Sequence, residues 1–266
     1  MIISMKHFNI WDKKFDLFVL ILINIFAFFI SFLLNANFLE STLLFLGLPS
    51  LYLAIVEKKQ LGKVLIAAAS FGLLFGFCFD FIAEINKAWS WNGGLMFGKI
   101  AGVVQVDVMV WFFLWILHVF IFYEHFIDRK KLKSLISARG KWSFVIGTIC
   151  VGIVLFANSF FPDILIGKKA YLVLCLVSII PFMLILLYKP KVIWRSISVL
   201  PYFFFVYLSH EIVALKLLQW NFPGDYIGMV HMFGVSFPIE ELFFWIILSS
   251  LVGVSYYEIA YDNSKN

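Results

Sequence analysis

Phe237-Pro238-Ile239-Glu240-Glu241-Leu242-Phe243-Phe244-Trp245 runs two adjacent carboxylates into an apolar segment that continues to about residue 259. Ionisable groups are expensive inside a bilayer, so a pair of them at the head of a membrane-length run marks a functional site by default. The plainer alternative is a capped helix start at the membrane surface, with Pro238 in the first turn. The rest of the chain favours a membrane setting. Of its 266 residues, 63% are hydrophobic and 14% charged, against about 25% charged in soluble domains, and mean hydropathy is +0.97. Only helices or closed barrels can span lipid. The apolar runs here are continuous rather than alternating, which selects helices. The expected fold is an all-α polytopic bundle.

Eight spans are expected, at roughly 15–34, 41–56, 63–85, 101–122, 142–160, 170–188, 194–216 and 236–259. The second is short and holds Gly47 and Pro49, which predicts a kink or tilt. The first is long enough to span and lacks a small-residue cleavage site, so it reads as a membrane helix and not as a signal peptide. Loop charge gives the orientation. One side carries Lys13, Lys14, Lys58, Lys59, Lys63, the run from Arg129 to Lys133, Arg139, Lys141, Lys189, Lys191 and Arg195. The other carries only Lys87, Lys99, Lys168, Lys169 and Lys216. Positive residues accumulate on the cytoplasmic side, so both termini are expected there, in a multi-pass protein of the cell membrane. Asp80, Asp107, Glu211, Glu240 and Glu241 then share a layer toward the opposite leaflet.

The chain also repeats itself. Asp80 is followed nine residues later by Trp89 in Ala88-Trp89-Ser90-Trp91, and Glu211 nine residues later by Trp220 in Gln219-Trp220-Asn221-Phe222. The next element, Gln105-Val106-Asp107-Val108 through Trp111-Phe112, aligns with Pro238-Ile239-Glu240-Glu241 through Phe244-Trp245. Four spans return a chain to its starting side, so these are expected to be two parallel four-helix repeats, 1–135 and 136–266, within one membrane domain. Such repeats commonly place a site at their interface.

An acid, a Trp nine residues on, and a Pro-x-Glu-Glu element leading into Phe-Phe resemble the membrane-integral lycopene cyclases of carotenoid biosynthesis, found as two small subunits or one fused chain. The C-terminal half matches through Glu211, Trp220 and Pro238 to Phe244. The N-terminal half matches through Asp80, Ala88 and Trp89 but has Gln105 for Pro and Val108 for the second Glu, and the family usually has Asp where Glu211 stands. The resemblance implies an isomerase, an intramolecular lyase acting on a hydrophobic carotenoid in the lipid bilayer without cofactor. A carboxylic acid protonates a terminal double bond, the cation closes a six-membered ring, and a base removes a proton to leave a β- or ε-ring. The acid must be protonated near neutral pH, and burial raises a carboxyl pKa. Catalytic candidates are Glu240, Glu241, Glu211, Asp80 and Asp107, with Glu240 as base and Glu211 or Asp80 as acid. Trp89, Trp91, Trp220, Phe243 and Phe244 could face the cation, with Pro238 and His210 beside them.

Other chemistry finds less support. Cys78, Cys150 and Cys175 lie in apolar runs without metal spacing and read as core thiols. His118 and His125 lie toward the end of the fourth span remote from the acids. The net charge of +5 sits in short loops, which argues against nucleic acid. A hydratase that quenches the same cation with water, an ion-coupled carrier and a decayed partner subunit are the competing readings. Homo-oligomerisation or contact with other carotenoid enzymes stays open.

Overall fold

The computed structural model describes residues 10–91, 97–128, 138–188 and 190–261. Among these, eight helices are long and apolar enough to cross a membrane: Lys13–Leu34, Phe38–Val56, Leu61–Ile85, Val106–Phe126, Arg139–Phe160, Ala170–Tyr188, Ile197–Lys216 and Glu241–Ala260. The fold is an all-α polytopic bundle, and the protein is a multi-pass membrane protein. The run from Arg129 to Lys133 and the boundary at 135/136 lie outside the described residues.

The fourth span is the centre of the bundle. It is 78% buried by protein, whereas the fifth and sixth are each 17% buried and turn most of their surface to the surroundings. Glycines let a neighbour approach it. A methyl group on Gly72 would sit 2.8 Å from the Phe112 carbonyl oxygen, and one on Gly76 would sit 2.8 Å from the Phe112 ring. Small residues at such spacing bring helix backbones together where lipid supplies no hydrophobic drive. Near Gly47 and Pro49, where a kink is expected, the helix widens into a π-helical turn, Leu43–Gly47, that ends two residues before the proline. At the end of the bundle remote from the acids, the first, second and fourth spans are tied by His125, whose Nε2 lies 2.8 Å from Asp16 and Nδ1 3.4 Å from Glu57.

Two spans start later than expected. The fourth span begins at Val106 rather than 101 and runs to Phe126, and the last becomes helical only at Ile239 rather than 236. A hairpin occupies the intervening residues in each case. Lys99–Ile100 pairs with Val104–Gln105 around Ala101 and Gly102 (φ 51° and 72°), and Met229–Met232 pairs with Val235–Pro238 around Phe233 and Gly234 (φ 51° and 72°). Consecutive left-handed residues match the twist of a tight hairpin, and glycine suits the second of them. Hydropathy alone could not separate these apolar strands from the spans that follow.

Candidate active site

The third and seventh spans end in the same way. Lys87 and Leu218 adopt left-handed φ values of 53° and 54°. Behind them the Ala88 N–H donates to the Ala83 carbonyl and the Gln219 N–H to the Ala214 carbonyl, each at 2.8 Å. This is a Schellman stop, which satisfies the last carbonyls and reverses the chain. The next residue in each case is the motif tryptophan, swung back over its helix. Trp89 Nε1 donates to Asp80 Oδ1 at 3.1 Å, and Trp220 Nε1 donates to Glu211 Oε1 at 3.1 Å. The nine-residue spacing therefore measures a helix end plus a turn. Ser90–Trp91 then pairs antiparallel with Trp220–Asn221, bringing the two tryptophan elements together.

Between them lies a cavity of about 430 Å³, its open mouth included, lined by Phe79, Trp89, Trp91, Val108, Trp111, Phe112, Tyr171, Trp220, Phe222, Glu241 and Trp245. Ten of the eleven lining residues are apolar or aromatic, and Glu241 alone carries an ionisable carboxyl. Tyr171, from the sixth span, donates its hydroxyl hydrogen to Glu241 Oε2. Glu211 reaches the cavity through Trp220, which lines it and donates to the Glu211 carboxyl. Trp245 stacks on Trp111 with ring centroids 4.5 Å apart and reaches Trp115 at the same distance. Aromatic faces of this kind attract a cation.

The five carboxylates thus divide. Glu241 enters the cavity. Asp80 and Glu211 stand behind the tryptophans that line it. Asp107 and Glu240 grip loop backbone instead: Asp107 Oδ2 accepts from the Phe97 N–H at 3.1 Å and Glu240 Oε1 from the Ile227 N–H at 2.8 Å. Beside them, Val106 N–H donates to Gly98 at 3.1 Å and Ile239 N–H to Gly228 at 3.0 Å. All five are buried. Among the described residues, one oxygen each of Asp80, Asp107 and Glu240 finds no hydrogen-bond partner.

Several expected site residues are placed differently. Pro238 closes the strand Val235–Pro238 instead of opening the helix, which makes Glu240 the second helical residue. Phe243 is 51% exposed on the outside of the bundle. Phe244 packs behind the cavity against the cluster of Trp89 and Tyr171. The reason is the π-helix Glu241–Leu248, whose wider turn shifts the register and aims Trp245 inward. His210 does not line the cavity. Its ring supports Trp220 at 5.4 Å, and its Nε2 lies 3.5 Å from Ser41 Oγ. His118 and His125 do not line the cavity. Tyr171 was not identifiable from sequence, since it comes from a span without any motif; Trp111 and Trp245 lay inside the repeated element and carried the signal that could have found them.

Among the described residues, no three His, Cys, Asp or Glu side chains are arranged to hold a metal ion. Compared with family models, curated proteins and solved structures, the chain matches none.

Proposed function

We propose that this protein is a carotenoid cyclase of the lycopene cyclase kind, converting an acyclic isoprenoid end to a ring by acid–base chemistry with no net redox change. The observation that carries the reading is the single ionisable carboxyl, Glu241, set in an aromatic cavity, with a second carboxyl, Glu211, hydrogen-bonded to the cavity's Trp220. Neighbouring carboxyls of this sort can divide the labour, one delivering a proton and one remaining charged. Glu241 gives its proton to the terminal double bond and leaves a tertiary cation. The next double bond supplies its electron pair, a carbon–carbon bond closes the six-membered ring, and the charge moves into the ring. Loss of an adjacent ring proton to the Glu241 carboxylate returns the catalyst and leaves an isomer of the substrate. Tyr171 holds the carboxylate between the two transfers, and the Trp111, Trp245 and Trp220 rings face the transient charge.

The matching hydrogen bonds at Asp80–Trp89 and Glu211–Trp220, with the matching loop contacts of Asp107 and Glu240, support reading residues 1–135 and 136–266 as parallel repeats with the site at their junction. The bias of lysine and arginine among the loops supports a cytoplasmic location for both termini, and hence a cavity nearer the opposite leaflet. Expression in lycopene-producing cells tests the function. Cyclic carotene is expected. Hydroxylated acyclic product alone would favour the hydratase, and unchanged lycopene would sink both enzyme readings.

A further inference from the structure

The residues around the cavity correspond across the two halves, but the hydroxyl and carboxyl of one half have apolar counterparts in the other. Ser90 and Asn221, equivalent positions of the two tryptophan elements, face each other directly in the strand pair. An approximate two-fold axis therefore passes between them. The same relation exchanges Trp89 with Trp220 and Trp91 with Phe222. Val108 and Glu241 follow Asp107 and Glu240 in the aligned elements, and both line the cavity.

Ring contacts identify the counterpart of Tyr171. Its ring lies 5.4 Å from Trp89 at 86° and 6.5 Å from Phe222. Phe38 lies 5.7 Å from Trp220 at 75° and 4.7 Å from Trp91. Where one half presents a hydroxyl bonded to a carboxyl, the other presents a phenyl ring and an isopropyl group. Phe38 is 3% exposed and Val108 fully buried, so neither faces solvent.

We propose that Val108, in the cavity lining, and Phe38, packed behind Trp91 and Trp220, form a hydrocarbon wall that determines specificity. The wall seats an apolar chain end with its reacting double bond toward Glu241 and keeps water from the cation, so each molecule has one acid-bearing centre instead of two. This rests on the cyclase reading for its chemistry, although the seat itself is a binding surface. A hydroxyl or carboxyl on this wall would recruit water opposite the cation. Water capture, in which the cation gains a water oxygen and releases a proton, would then compete with ring closure. An apolar wall removes that competitor.

The test uses purified protein with lycopene in lipid vesicles and reads three quantities: quenching of tryptophan fluorescence on lycopene binding, turnover, and the ratio of cyclic to hydroxylated product. Val108→Phe fills the seat and is expected to lower both quenching and turnover by about tenfold, equivalent to about 1.4 kcal/mol of lost binding. Val108→Thr, of nearly the same shape, is expected to bind normally and to release hydroxylated product that the wild type does not. Wild-type quenching in Val108→Phe, or a wild-type product ratio in Val108→Thr, overturns the proposal. If Val108→Phe fails to fold, the threonine variant still decides. A wild type that shows quenching but no conversion would refute the cyclase reading, while loss of that quenching in Val108→Phe would still establish the seat.

Discussion

Replacing Tyr171 by Phe removes one oxygen from the cavity and little else. The Tyr171 ring is 3% exposed and wedged against Trp89, and phenylalanine keeps that packing. What is lost is the hydrogen bond to Glu241 Oε2, which among the described residues is the side-chain bond found for this carboxyl. On the proposed mechanism, the Glu241 carboxylate left after proton transfer stands in a cavity of carbon, and the Tyr171 hydroxyl is its donor. Removing a donor to a charged, buried group costs about 1.5–3 kcal/mol, which corresponds to about a ten- to hundredfold loss in rate. Because the bond matters most after proton transfer, kcat should fall while KM stays near the wild-type value. Initial rates of lycopene conversion in vesicles at matched protein amounts would measure this. A Tyr171→Phe enzyme within twofold of the wild-type kcat would refute the assignment of Glu241 as the proton donor supported by Tyr171.

Trp220→Phe removes the 3.1 Å bond to Glu211 and should lower turnover about tenfold, the worth of one bond to a buried carboxyl, with protein level unchanged on an immunoblot. Gly72→Ala places a methyl group 2.8 Å from the Phe112 carbonyl and should cost about 1–3 kcal/mol through overpacking, seen as a lower unfolding midpoint in detergent. Tyr226, in the loop before the last hairpin, donates to the Ala88 carbonyl at 2.6 Å, and burial pushes its hydroxyl from 10.0 up to about 12. A raised acid pKa means that the folded state favours the neutral form, so the contribution is complete below about pH 10 and is lost as pH rises toward 12. The stability difference between wild type and Tyr226→Phe should be flat from pH 6 to 9 and shrink above 10, and a difference that grows above pH 10 would contradict this.

Much of the architecture was legible because lipid imposes length and apolarity on every span. Lys13–Leu34 and Ala170–Tyr188 lie within a few residues of where hydropathy put them. The acid and tryptophan pairs were equally plain, since their nine-residue spacing is fixed by one helix stop. The hairpins were not, although Gly102 and Gly234 marked their turns, because Lys99–Gln105 and Met229–Pro238 continue smoothly into apolar helices. Phe243 was misplaced because a π-helix changes which residues share a face, and sequence periodicity assumes a constant turn. Tyr171 and Phe38 reach the site only through packing between spans far apart in the chain, which no local pattern records.

Glu241→Gln tests the central claim most directly. It keeps the size and the hydrogen-bonding reach of the side chain while removing the proton that the reaction needs. General acid catalysis is worth about a hundred- to ten-thousandfold. In lycopene-producing cells the wild type should accumulate cyclic carotene, and Glu241→Gln, at equal protein level, should leave the lycopene unchanged. Cyclic carotene at the wild-type level from Glu241→Gln would contradict the account.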